Sequence, residues 1–154
     1  MSQYRVSVER SINAPAAQIF ALLADAGLHA SFDGSETVVG ARLPSQPLAL
    51  GSSFSMSMRG RRETLFLPYR TTNIVIEFVP DRLIAWQTWG PAKLIGGRIW
   101  RYELTPQDGG TLVRETWDAE HEKYRSMVIR GSVPQKTEDG MRETLDRIAK
   151  QLGA

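Results

Sequence analysis

The sequence predicts an α+β fold in which a curved, seven-stranded antiparallel sheet wraps around a long C-terminal helix. Seven segments alternate apolar and polar residues, a pattern typical of half-buried strands. Turn-forming residues separate several of these segments, as at Pro80-Asp81 and Asp108-Gly109-Gly110, which predicts hairpins between antiparallel neighbours. The last segment, from about 136 to 152, is predicted to be an amphipathic helix because its apolar residues recur at helical spacing: Met141, Leu145, Ile148 and Leu152.

The N-terminal part of the chain is predicted to contain one strand followed by two short helices. From Tyr4 to Ile12 the apolar residues take alternate positions, and Arg10 is the one break in that pattern. Pro15 suits a first helical turn, because its missing N–H has no partner there, and predicts a helix from about 15 to 25. A second short helix is expected from Ala26 to Phe32, where Asp33-Gly34 stops it.

Six more strands precede the final helix in this prediction. They run from Thr37 to Arg42, Gly51 to Arg59, Tyr69 to Val79, Arg82 to Trp89, Arg98 to Thr105 and Thr111 to Ala119. Residues 126–134 are assigned to a loop. No internal repeat, low-complexity tract or linker interrupts this order, so residues 1–154 are predicted to form a single domain of the helix-grip type.

Composition and motifs exclude several functional classes. The 154 residues include no cysteine, which excludes disulfides, thiol nucleophiles and cysteine-based zinc or iron–sulfur sites. The sequence has no phosphate-binding loop, no dinucleotide-binding turn and no serine-hydrolase elbow. Its two histidines stand 92 positions apart, without the spacing of a zinc site. We therefore expect no cofactor and no metal.

Charge does not select a macromolecular partner. The formal net charge is +2, and only Arg59, Arg61 and Arg62 cluster, which is typical of a solvated hairpin tip rather than of a nucleic-acid site. No segment approaches the roughly 20 apolar residues that a membrane-spanning helix needs, and nothing at the start has the pattern of a signal peptide. The expectation is a cytoplasmic protein without stable membrane insertion, present as a monomer or a weak homodimer.

Several segments together resemble the START/Bet v 1-like (SRPBCC) superfamily, in particular its polyketide cyclase/dehydrase and lipid-transport-like proteins. Residues 11–25 are similar to the family's entry from the first strand into an amphipathic helix that ends in Asp, and His29 with Phe32-Asp33-Gly34-Ser35 resembles its second elbow. Residues 50–58, 82–86, 100–104 and 109–113 resemble its successive strands and hairpins. The resemblance covers nearly the whole chain and implies a cavity for an apolar ligand more firmly than it implies a reaction.

Strand alternation predicts which side chains face that cavity, because successive residues of a strand take opposite faces. On the strand from Tyr69 to Val79, the predicted inward residues are Ile74, Ile76 and Phe78. A structural role in an ordinary core remains the alternative for each of them. The predicted ligand-binding residues are Phe32, Phe54, Met56, Met58, Ile76, Phe78, Trp86, Trp100, Tyr102, Trp117, Met141 and Leu145.

Three predicted inward positions carry a charge: Arg10, Arg98 and Glu115. A lone buried charge is costly, so each is expected to have a partner, an opening to solvent or a function. One interpretation is an ion pair between Arg10 and Glu115. The other is that Glu115 has a raised pKa in a dry cavity and acts as a general acid or base, while Arg98 binds an anionic or carbonyl oxygen.

Two histidines and one tyrosine complete the candidates. Tyr102 and His121 are further candidate acid–base groups, and the carboxylates that flank His121 predict a proton shuttle if this histidine is not simply part of a polar loop. His29 is expected either at the mouth of the cavity beside Phe32 or as a structural residue of the elbow.

The sequence supports three functional hypotheses. The first is a protein that binds a lipid, polyketide or other aromatic metabolite between sheet and helix, since no strong catalytic constellation is present. The alternative is a cofactor-independent polyketide aromatase/cyclase or dehydratase that uses Glu115, Tyr102 or His121, with Arg98 orienting a carbonyl. The third is an interaction module with a filled core, which predicts a cavity smaller than about 300 Å³.

Overall fold

The computed structural model describes residues 2–41, 47–60, 62 and 65–154 and confirms the predicted α+β fold. Its strands form one antiparallel sheet in the order β1-β7-β6-β5-β4-β3-β2. Among the elements that the structure describes in full, four helices and two 3-10 turns, Ala26–Leu28 and Pro91–Lys93, accompany the sheet. The strands are β1 (Arg5–Ile12), β2 (Val38–Ala41), β3 (Ser53–Arg59), β4 (Pro68–Val79), β5 (Leu83–Trp89), β6 (Gly96–Gln107) and β7 (Gly110–Asp118), and the helices are α1 (Ala16–Leu23), α2 (His29–Phe32), α3 (Arg125–Val128) and α4 (Val133–Gln151).

The predicted boundaries differ from the observed ones mainly near the C terminus. The final helix begins at Val133 rather than near 136, and Pro134 fits its first turn because that turn has no partner for an N–H. Part of the predicted 126–134 loop is therefore helical: α3 covers residues 126–128 and α4 begins at Val133. Arg42, the predicted end of the second strand, and Arg61 of the arginine cluster lie outside the described residues.

The core lies between the inner face of the sheet and the helices. Helix α4 packs across β1 and β7 and buries Met141, Leu145 and Ile148, the apolar stripe that its sequence period predicts. Helix α1 buries Ile19, Phe20 and Leu23. No helix within the described ranges is both long and apolar enough to cross a bilayer.

A β-bulge in β4 overturns part of the predicted face assignment. Val75 pairs with Trp86, but the next pair is Glu77 with Ala85, so Ile76 is an extra residue in its strand. One extra residue reverses the alternation, and Asn73 and Val75 are buried before the bulge while Ile76 is 37% exposed. The prediction that Ile74 and Ile76 share the inward face with Phe78 is therefore wrong.

The predicted ion pair between Arg10 and Glu115 is also absent. Strands β1 and β7 are neighbours, as that prediction requires, but Arg10 lies opposite Val113 and Glu115 lies opposite Val8. Arg10 instead pairs with Asp146 on α4, and both side chains are about half exposed. Glu115 receives a hydrogen bond from Tyr102 on the other neighbouring strand.

Candidate functional site

A cavity of about 110 Å³ lies between the sheet, α2, the segment after α2, and α4. This volume is below the 300 Å³ or so that separates a drug-sized ligand site from a filled core. Its walls are aromatic and apolar with a few polar groups. The lining residues are His29, Phe32, Asp33, Ser35, Thr37, Val38, Phe54, Met56, Met58, Asn73, Trp86, Thr88, Trp100, Tyr102, Glu115 and Thr144.

Trp86 is the centre of the aromatic wall. Its ring stacks on His29 with centroids 4.9 Å apart, meets Phe54 edge-on at 5.8 Å and lies 5.6 Å from Tyr102. These rings come from α2, β3, β5 and β6, so four elements fix the shape of the wall. Trp86 faces inward as predicted, because it pairs with Val75 and Trp100 in register. Such a wall suits a flat ligand that stacks or packs edge-on.

Glu115 and Tyr102 form a buried hydrogen-bonded pair. Their strands pair directly at these two residues, and the Tyr102 hydroxyl donates to Oε1 of Glu115 at 2.7 Å. Oε2 of Glu115 is buried and has no hydrogen-bond partner among the described residues. Burial raises the pKa of Glu115 from 4.5 to about 8 and outweighs the hydrogen bond from Tyr102, which lowers it, while nearby Asp33 raises it further. The carboxyl group is therefore mostly protonated at neutral pH.

A second polar group lines the cavity on β4 and β5. The Thr88 hydroxyl donates to Oδ1 of Asn73 at 2.7 Å, and Nδ2 of Asn73 lies 3.4 Å from both the carbonyl oxygen of Phe54 and the Thr71 hydroxyl. Asn73 is buried, and these two long contacts engage both of its N–H groups. Asn73 was not predicted from the sequence, because the bulge in β4 changes the alternation on which the prediction for that strand rested.

The segment after α2 closes one side of the cavity against α4. The Gly34 N–H donates to the Thr144 hydroxyl at 2.9 Å, which fixes this segment on the helix. A Cβ at position 34 would stand 2.4 Å from the carbonyl oxygen of Gly140, so only glycine allows this approach. Ser35 donates to Asp33 at 2.7 Å and orders the turn between them.

Eight predicted site residues line the cavity, and seven do not, of which five were predicted to bind the ligand. Ile76 is exposed, and Phe78 packs edge-on against Phe20 of α1 at 5.4 Å. Trp117, Met141 and Leu145 belong to the hydrophobic core, because α4 covers β1 and β7 and fills the space above them. The eight residues in the cavity wall are Phe32, Phe54, Met56, Met58, Trp86, Trp100, Tyr102 and Glu115.

Arg98 and His121, two of the predicted catalytic residues, also lie outside the cavity wall. Arg98 donates from Nε to the buried carboxylate of Glu122 at 3.0 Å, and the same carboxylate accepts the Gly96 N–H at 2.8 Å. The guanidinium is thus engaged in holding the loop after β7 rather than in binding a ligand. His121 is exposed on that loop.

Two positions were predicted for His29, and the structure places it at the one in the cavity wall. It lines the cavity beside Phe32, with ring centroids 5.5 Å apart, and Nε2 lies 2.8 Å from the carbonyl oxygen of Leu23. Burial lowers its pKa, so the ring is neutral at pH 7. No three His, Asp or Glu side chains among the described residues are grouped so that they could ligate a metal ion.

Comparisons with known proteins identify the family and the fold. A curated relative, the uncharacterized protein Rv0088 of Mycobacterium tuberculosis, is 40% identical over 118 residues, which are 74% of this chain and 47% of that protein. The chain thus spans about half the length of the curated relatives it matches.

Solved structures share the fold at low sequence identity. Protein NE0264 from Nitrosomonas europaea has a TM-score of 0.74 at 12% identity, covering 99% of this chain and 96% of that one. Protein CV1439 from Chromobacterium violaceum has a TM-score of 0.72 at 15% identity, covering 97% of both chains. The family model described as polyketide cyclase / dehydrase and lipid transport matches residues 3–153. The chain belongs to this family, as the resemblance in its sequence implied.

Proposed function

We propose that the protein binds a small, flat, mainly apolar molecule that carries a hydrogen-bond-accepting oxygen. The observation that carries this proposal is the unpartnered Oε2 of Glu115, buried in a residue that lines an aromatic cavity. Because Tyr102 donates to Oε1, the carboxyl proton belongs on Oε2, where it is available to a ligand. Buried polar atoms without partners are rare in proteins, and a ligand carbonyl would satisfy this one.

The volume of the cavity limits the part of the ligand that it encloses. A dry cavity of about 150 Å³ takes up benzene, so 110 Å³ corresponds to roughly one ring. A lipid or polyketide would place only one ring or one end inside. The small volume meets the size criterion for a filled-core interaction module, but such a core gives no reason for an unsatisfied carboxyl oxygen beside a void. This contrast favours a ligand site.

The proposal is tested by comparing acetophenone with ethylbenzene, which has a similar shape and lacks the carbonyl oxygen. Binding is followed by the fluorescence of the cavity tryptophans, Trp86 and Trp100. We expect both compounds to bind and acetophenone to bind about two- to tenfold more tightly, the range for one added hydrogen bond. This preference is expected to disappear as the pH rises past 8, where Glu115 loses its proton.

Two matched variants assign that pH dependence. Glu115→Gln retains a donor that does not titrate, so it is expected to keep the preference for the ketone at all pH values. Glu103→Gln removes a carboxyl group one residue from Tyr102, on the other face of β6, and is expected to behave as the original protein does. Failure of both compounds to bind would support the interaction module instead.

A second candidate function is supported by the near-neutral pKa of Glu115, about 8. General acids and bases work best when their pKa lies near the working pH, as a cofactor-independent aromatase/cyclase or dehydratase requires. Glu115, whose carboxyl group is oriented by Tyr102, would donate its proton to the carbonyl oxygen while a solvent water removes a proton from the α carbon, which gives the enol. When the ketone re-forms, the α carbon takes a proton from solvent and the Glu115 carboxylate recovers the proton of the enol hydroxyl. We expect the protein to accelerate exchange of the methyl protons of acetophenone for deuterium. Glu115→Gln should abolish this exchange while acetophenone still binds, and unchanged exchange would contradict the catalytic assignment.

A further inference from the structure

Three connections meet at one end of the sheet. The β3–β4 hairpin, the β5–β6 hairpin and the segment after β7 all leave the sheet on this side, because Arg59 pairs with Pro68, Trp89 with Gly96, and Asp118 with Ile99. The second and third connections are bonded to each other: the Lys123 N–H donates to Gly96, and its ammonium group donates to the carbonyl oxygen of Lys93 at 2.6 Å. We define the loop end as residues 62, 65–70, 90–95 and 119–133.

The loop end exposes large apolar side chains that a folded core would be expected to bury. Six of them, spread over all three connections, are between 53% and 81% exposed. Single exposed hydrophobic residues are ordinary, but a collection at one end of a molecule marks an interaction surface. The six are Leu65, Phe66, Leu67, Leu94, Tyr124 and Met127.

The same three connections also carry positive charge. The described residues of the loop end include six basic side chains, all exposed: Arg62, Arg70, Lys93, Lys123, Arg125 and Arg130. Their two acidic side chains are both paired: Glu120 with Arg5, and the buried Glu122 with Arg98. The whole chain carries a net charge of only +2, so positive charge is concentrated at this end.

We infer that the loop end is a docking surface for an anionic lipid membrane. Aliphatic and aromatic side chains interspersed with arginine and lysine match the boundary between acyl chains and anionic headgroups. A nucleic-acid site would use the charges but gives no role to exposed Leu65, Phe66 and Leu67. The surface is peripheral and involves no spanning helix.

This surface adjoins the cavity, although the inference does not depend on the proposed ligand. Met58 lines the cavity, and the next residue, Arg59, is the last of β3 before the connection that carries the exposed hairpin residues. Asn73 and Thr88 also line the cavity. Thr88 follows Trp86 by two residues on β5, so this pair lies nearer to the loop end than Trp86 does. Docking would thus bring this side of the cavity towards the lipid, where apolar molecules are concentrated.

The test is co-sedimentation of the full chain with phosphatidylcholine vesicles that contain or lack phosphatidylserine. We expect binding to the anionic vesicles at low salt, weaker binding at high salt and little binding to phosphatidylcholine alone. Arg62→Gln with Arg130→Gln should weaken binding about fivefold for each cation removed. Phe66→Ser with Leu67→Ser should abolish it.

A matched control removes exposed apolar residues from the opposite end of the sheet. Leu50 and Val79 are 66% and 48% exposed there, so Leu50→Ser with Val79→Ser should leave vesicle binding unchanged. All substituted side chains are exposed, and circular dichroism is expected to show unchanged folds. Absence of binding to anionic vesicles at low salt, or equal loss in the control, would overturn the inference. If the protein does not bind vesicles, two results would identify another partner and overturn the inference. These are salt-dependent binding to duplex DNA and self-association that Phe66→Ser removes.

Discussion

Two opposing effects act on Glu115, and burial is the larger. Removal of the carboxylate from water favours the protonated form, while the Tyr102 hydroxyl stabilises the ionised form by donating to Oε1 at 2.7 Å. Tyr102 has a strongly raised pKa for the same reason, since burial and the adjacent carboxyl group both disfavour a phenolate. Tyr102 therefore remains a donor at any pH at which the protein would work.

Removal of that donor is predicted to raise the pKa of Glu115 above 8. Tyr102→Phe keeps the ring that packs near Trp86 and deletes only the hydroxyl. The carboxylate then loses a favourable hydrogen bond, so the protonated form becomes more favourable. A carbon-13 NMR titration of the Glu115 carboxyl group measures the change. Tyr124→Phe, on the exposed loop after β7, is the control and should leave the titration unaltered; a lower pKa in Tyr102→Phe would contradict the hydrogen-bond geometry.

The sequence could predict that Glu115 points inward but not which residue it contacts. Alternation fixes the face of a side chain, and Glu115 follows Val113 in that pattern. The partner depends on register, and a shift of two residues along a strand moves a side chain by roughly 7 Å. Arg10 stands one such step from Glu115 and instead reaches Asp146, on a helix whose position no local pattern indicates.

Among the elements, the segment after α2 is the one that a single methyl group would disturb. Gly34 approaches the backbone of α4 so closely that a Cβ would lie 2.4 Å from the carbonyl oxygen of Gly140 and 2.6 Å from the nitrogen of Thr144. Both contacts are with backbone atoms of a packed helix, which cannot rotate away. This contact joins two walls of the cavity, those formed by Asp33 and Thr144.

Two glycine-to-alanine substitutions on either side of this contact are predicted to have opposite effects. Gly34→Ala should lower the free energy of unfolding by about 1 to 3 kcal/mol, the usual cost of overpacking. Gly140→Ala adds a methyl group whose nearest neighbour is 3.5 Å away, within a helix that favours alanine over glycine by about 1 kcal/mol. It should therefore raise the stability. Urea denaturation compares the two variants, and a stabilising Gly34→Ala would show that the segment does not pack on α4 as described.

The elements were predictable where a period persists and unpredictable where it breaks. Strand β7 pairs with β1 and with β6 without any register shift, and α4 keeps its apolar stripe. The bulge at Ile76 adds one residue to β4, and the sequence 74–78 carries no glycine or proline that would mark it. Asn73 was missed for this reason, although the correct register places it on the same face as Val75 and Trp86.

For the whole molecule, the topology was more predictable than the site. A meander of hairpins with one long helix allows few arrangements, and the observed order of strands is sequential from β2 to β7, with β1 added beside β7. The position of α4 over β1 and β7 decides which inward residues become core and which line the cavity. Trp117 and Leu145 are buried where α4 packs on the sheet, whereas Trp86 and Trp100 lie outside this contact and line the cavity. That division depends on packing between elements distant in sequence.

The stability of the whole protein is predicted to decrease with pH because of Glu115. The folded state binds the Glu115 proton more tightly than the unfolded state, with a pKa of about 8 against 4.5. Its stabilising contribution is thus complete below pH 4.5 and is lost as the pH rises through 8. His29 has the opposite effect, since its lowered pKa disfavours the folded state only below about pH 6.5.

Between pH 6.5 and 8.5 the free energy of unfolding should therefore fall by about 2 kcal/mol, since each pH unit contributes at most about 1.4 kcal/mol for one proton. Urea denaturation across this range measures the slope. Glu115→Gln should abolish it, because the amide keeps the size of the carboxyl group and does not titrate. Glu103→Gln should retain it. A slope that persists in Glu115→Gln would mean that the buried carboxyl group is not the group that couples folding to pH, and the protonation state on which the proposed ligand contact depends would then be incorrect.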